Sequence, residues 1–115
     1  MSGLVISLLL ISVGASEIWL CWLGSQRRLR PNSLIGIRLG AIKASDESWY
    51  VAHESAAGIF GVGGGIAAAC GAAVLLTGLD LVGTVVAVIG AIAVLVATSV
   101  AVIVALRSVK DMPDR

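Results

Sequence analysis

The chain has 115 residues, of which 58% are hydrophobic and only 13% charged, with a mean hydropathy of +1.03. Soluble domains are roughly half apolar and a quarter charged, so this composition excludes an ordinary soluble fold and allows one compact membrane unit. The net charge, +1, says little, and two isolated cysteines, Cys21 and Cys70, fit neither a disulfide framework nor a zinc site.

The first apolar stretch runs from Met1 to Gln26 and is interrupted only by Glu17. Its leading residues, Met1-Ser2-Gly3, lack the basic side chain of a secretory signal, so it reads as a retained helix over about residues 3–24. Trp19 and Trp22 suit its inner end, because amphipathic rings favour the headgroup level. The next segment, about residues 25–54, is the polar loop. It opens with Pro31-Asn32-Ser33, a turn pattern, followed by the mostly apolar piece Leu34 to Gly40. Those Leu and Ile side chains are expected to rest on the membrane or the helices, since exposing all of them to water is unfavourable. Ser45-Asp46-Glu47 then predicts a helix start, with a capping hydroxyl and two acids at the positive helix end. That helix should carry Trp49 and Tyr50 through the interface and continue to about Thr77.

No Asp, Glu, Lys or Arg occurs from Ser55 to Leu79 or from Leu81 to Leu106. A crossing needs about 20 apolar residues, so spans are expected at about residues 55–78 and 81–106. In the second span, Gly61, Gly65 and Ala69 share one stripe of small residues, and Gly64, Ala68 and Ala72 form another. The third span repeats Ala93, Ala97 and Ala101. Small residues let helices approach closely in lipid, so these stripes are expected to pack spans two and three as a tight antiparallel hairpin about Asp80. The second stripe leaves homo-oligomerisation open.

Every Lys and Arg lies either between spans one and two or after span three. Cytoplasmic loops concentrate these residues, which predicts an all-α, multi-pass protein with its N-terminus outside and its C-terminus inside. Anionic lipid headgroups are the expected contact of Arg27, Arg28 and Arg30, and no nucleic acid is implied.

Glu17 is the one acidic residue inside a span, about 10 Å from the end of its helix. A bare carboxylate there is unfavourable, so it should pair with Arg38, Lys43 or His53, snorkel, or serve a ligand or proton site. His53 lies one turn from Trp49, but a lone histidine without nearby ligands implies no metal, and no pattern implies a cofactor. The glycines from Gly61 to Gly65 lack the Lys-Ser/Thr of a phosphate loop, and no nucleophile–base pair is specified, so an enzyme is not expected.

Pro31-Asn32, Gly36-Ile37-Arg38, Ser45-Asp46-Glu47, Trp49 and His53 together resemble the signature of the SdpI family of bacterial integral membrane proteins. The resemblance spans about residues 31–58, and the two following spans agree with the family's layout. Two positions depart: Leu39-Gly40 replaces a frequent Thr-Pro, and Glu54 replaces a frequent basic residue after the histidine. The resemblance implies a non-enzymatic protein of the bacterial plasma membrane, acting in peptide-toxin immunity or signalling by binding a toxin or a cytoplasmic regulator. Asn32, Gly36, Arg38, Trp49 and His53, with Glu17, are then candidates for either partner contact or bracing of the loop. The alternative is an accessory subunit of a larger membrane complex, for which the glycine–alanine surface argues.

Overall fold

The computed structural model describes residues 2–112 and is all-helical among them. Helix α1 is Ser2–Ser25, α2 is the short Gly40–Lys43, α3 is Asp46–Thr77 and α4 is Leu81–Lys110. Three of these, α1, α3 and α4, are long and apolar enough to cross a membrane. At about 1.5 Å per residue the 32 residues of α3 extend roughly 48 Å, well beyond the roughly 30 Å hydrocarbon layer. The molecule measures 53 × 20 × 20 Å.

Local chemistry fixes the helix ends. The Ser45 hydroxyl accepts the Ser48 N–H at 3.0 Å while the Ser48 hydroxyl accepts the Ser45 N–H, a reciprocal cap at the start of α3. Gly78, at φ +85°, ends α3 in a conformation that side chains disfavour, and the Asp80 carboxylate caps α4 through the Gly83 N–H at 2.7 Å.

Helix α3 is the central element. It packs extensively on α1 and on α4, whereas α1 and α4 touch each other little. Glycine makes both contacts close. A Cβ built on Gly64 would lie 2.6 Å from the Gly14 carbonyl oxygen and 3.1 Å from the Ile18 nitrogen of α1. Gly71 faces Ser7, Leu10 and Ile11 of α1, and Gly63 abuts Ala97 of α4. The stripe of Gly64 and Ala68, expected to serve spans two and three or a second copy, therefore seats α1. Within the other stripe, Gly61 meets Cys21 of α1, but a Cβ on Gly65 would touch nothing within 4 Å and Ala69 is exposed. The stripe turns away because α3 is sandwiched between two helices, and only positions aimed at one of them need to be small. On α4, Ala101 is fully buried and Ala97 packs on Gly63, while Ala93 lines a cleft against α3.

The larger side chains gather at the loop end. Leu29, Ile37, Ile42, Trp49, Phe60 and Val109 form a buried cluster with Ala52, Ala56, Ala101 and Ala105. Beyond it the helices turn Leu, Val and Ile outward, as lipid-facing surfaces do.

Candidate functional site

The segment between α1 and α3 folds back onto the bundle as a bonded unit. The Asn32 side chain starts it: its Oδ1 accepts the N–H groups of Leu34 and Ile35 at 2.8 and 2.7 Å, and its amide donates to the Arg30 carbonyl at 2.8 Å. This local bonding is the reason asparagine suits a turn. Four residues on, Gly36 adopts φ +105°, and an added Cβ would lie 2.6 Å from His53 Nε2 and 3.2 Å from the Trp49 ring. Both the backbone angle and the space demand glycine.

That close passage lets the loop bond to α3. The Ile37 N–H donates to His53 Nε2 at 2.8 Å, and His53 Nδ1 lies 2.8 Å from the Trp49 carbonyl oxygen. An Nε2 that accepts must be unprotonated, so Nδ1 carries the proton and donates to Trp49, which assigns the neutral tautomer. The Trp49 indole N–H donates to the Leu29 carbonyl at 2.8 Å, and the Trp49 and His53 rings pack with centroids 4.3 Å apart, tilted by 37°. The Ser48 hydroxyl donates to the Ile42 carbonyl at 2.9 Å, tying α2 to the same turn of α3. Buried polar groups in a low-dielectric setting must be paired, and here each of these is.

Asn32, Gly36, Trp49 and His53 are thus brought together as the brace of the loop. Arg38 is different. It is exposed and makes no hydrogen bond or ion pair among the described residues. Leu34 is also displayed, 87% exposed at the loop's turn.

Of the alternatives open to Glu17, none of the three pairings is formed. Glu17 is 5% exposed, yet neither carboxylate oxygen has a hydrogen-bond partner, and Arg38, Lys43 and His53 form no ion pair with it. His53 is committed to Ile37 and Trp49, which removes it as a donor. Arg38 shares with Glu17 a cleft of about 460 Å³ that Gly36, Leu39 and Phe60 also line.

Sequence reasoning missed two features. Arg27, at φ +54°, bonds both Glu47 at 3.2 Å and Glu54 at 3.3 Å, clamping the end of α1 to the start of α3. Both carboxylates favour the charged guanidinium and push its pKa up. The acid at Glu54 was visible, but not that the chain reverses at Arg27 to meet it. Arg28 also sits over the Trp22 ring at 5.2 Å.

The model of the SdpI/YfhL protein family matches residues 28–106. The chain belongs to this family. The match covers the braced loop, α2, α3 and most of α4, so the SdpI-family region includes Asn32, Gly36, Arg38, Trp49 and His53, while Glu17 on α1 lies outside it. No curated protein and no solved structure matches the chain significantly. Family membership and three spanning-length helices make it a multi-pass membrane protein of SdpI type.

Proposed function

We propose that the chain is a non-enzymatic immunity or signal-transduction protein of the bacterial plasma membrane, acting by binding a peptide toxin or a cytoplasmic regulator through its central loop. One observation carries this: the loop is rigidly braced by buried groups, yet Arg38 and Leu34 are left outward and unengaged. A forked guanidinium and an apolar side chain on a fixed backbone suit a protein partner, because little ordering entropy is lost on contact. The orientation that fits has the N-terminus outside, the loop and C-terminus inside, and α3 and α4 as an antiparallel hairpin about Asp80. It places Arg27 to Lys43 and Arg107 to Lys110 on one side of the membrane. A reporter fused at Asp80 should read as external; cytoplasmic signal there contradicts it.

Recovery from native membranes through a C-terminal tag tests the binding. The expected result is a peptide or small protein recovered with the wild type and lost with Arg38→Ala. Identical recoveries from both, together with unchanged toxin sensitivity and transcription on deletion, overturn the proposal. The accessory-subunit alternative draws on a second cleft, of about 650 Å³, where Gly58, Gly63, Ala93 and Ala97 leave room between α3 and α4. A stoichiometric complex with larger proteins in mild detergent favours it.

A further inference from the structure

Among the described residues the buried polar side chains are Ser7, Glu17, Ser48 and His53. Ser7, Ser48 and His53 are all hydrogen-bonded. Glu17 alone has both oxygens unmatched, and it lines a cleft whose other charged residue, Arg38, is equally unpaired. An unpaired buried carboxylate in an apolar setting is unfavourable, and protonation alone leaves its hydroxyl without an acceptor.

The surroundings describe what completes it. The walls are apolar side chains of two helices that touch each other little, Val13 and Leu20 on α1 with Val94 and Val102 on α4. Away from the loop the cleft continues into a second groove of about 270 Å³, which shares Val13 and Val94 and adds Leu9, Leu10, Ala91 and Leu95. Depth is set by Trp19 and Trp22, both about half exposed on the outer surface of α1, which mark the headgroup level. Glu17 precedes Trp19 by two residues, about 3 Å along the helix. An acid and a guanidinium therefore stand near headgroup level, above an apolar groove leading toward the bilayer interior.

We propose that this cleft is a binding site for a phospholipid bearing a primary ammonium, phosphatidylethanolamine being the fitting chemistry. The ammonium donates to Glu17, the phosphate accepts from Arg38, and one acyl chain lies in the groove between α1 and α4. A choline headgroup has no N–H to offer Glu17, and a glycerol headgroup has no cation, so both match the site less well. The site shares Arg38 with the proposed partner contact, but its acid, Glu17, lies on α1, outside the family-matched region, so Glu17→Gln tests the lipid site separately from that contact.

Native mass spectrometry of the full chain tests this, after release from bilayers holding phosphatidylethanolamine, phosphatidylcholine and phosphatidylglycerol in equal amounts with matched acyl chains. The wild type should retain phosphatidylethanolamine over phosphatidylcholine about tenfold, the scale of one charge-assisted hydrogen bond. Glu17→Gln should bring the ratio near parity. Arg38→Ala should lower retention of both lipids while keeping most of the preference. Ala91→Trp, which fills the groove from an exposed position, should weaken retention without changing the headgroup choice. Parity in the wild type, or an undiminished preference in Glu17→Gln, overturns the proposal. So does preferred retention of phosphatidylglycerol, which indicates an anion site at Arg38 alone. Displacement by soluble glycerophosphoethanolamine at equal concentration overturns the lipid as the source, because it makes the groove irrelevant.

Discussion

The two ends of the helical bundle are held together by different physics. At the loop end, large side chains are buried and the backbone is tied by side-chain hydrogen bonds: Trp49 to Leu29, His53 to Ile37, Ser48 to Ile42. Toward the other end few large side chains are buried, and contact comes from glycines that let backbones touch, such as Gly64 on Gly14 and Gly71 on Ser7. In lipid the hydrophobic effect gives helices no reason to associate, so the second mode relies on close dispersion contacts. The first mode specifies one loop conformation, and the second specifies only a helix separation. The surface proposed to bind a partner lies on the first.

The contrast can be broken most severely at Gly36. Gly36→Ala combines a disfavoured φ with a collision against His53, and should cost about 3 kcal/mol and release the loop. Melting in detergent together with protease sensitivity of the 31–39 segment reads both effects. At the glycine-packed end, Gly64→Ala drives a methyl into the backbone of α1 and should cost about 1–3 kcal/mol. Gly65→Ala, one residue on, meets open space and should be neutral or stabilising by up to about 1 kcal/mol through helix propensity. Equal effects at the two positions contradict the assignment of α1 to the Gly64 face. Trp49→Phe keeps an aromatic ring but removes the indole N–H and orphans the Leu29 carbonyl, and about 1–2 kcal/mol should be lost in the same melt. The smallest effect is expected for Arg27→Ala, because its two ion pairs are exposed: less than about 1 kcal/mol, shrinking further in high salt.

How much of this the sequence disclosed depended on the range of each interaction. Uninterrupted apolar runs report directly on spanning-length helices, and the Ser45 cap of α3 is a local pattern. The residues from Asn32 to His53 carried the family signature, but their geometry was hidden. That Gly36 passes over His53 depends on a chain reversal between residues sixteen or more apart, which periodicity does not encode. Glycine and alanine stripes announced close helix packing without naming the neighbour, and Gly64 proved to face α1. For Glu17 the sequence left pairing, snorkelling and a ligand site open, because Arg38, Lys43 and His53 were available on the same side of the membrane. The structure leaves it unpaired, since His53 is engaged by the backbone and Arg38 is exposed, lining the same cleft without reaching the carboxylate.

The braced loop stands or falls with the state of the imidazole. The chain has a single histidine, so a sample labelled with nitrogen-15 at histidine and Ile37 reports on His53 without ambiguity. Solid-state NMR in phospholipid bilayers near neutral pH should find Nδ1 protonated and Nε2 bare, with a through-bond coupling from Nε2 to the Ile37 amide. A proton on Nε2, or the absence of that coupling, contradicts the loop as described.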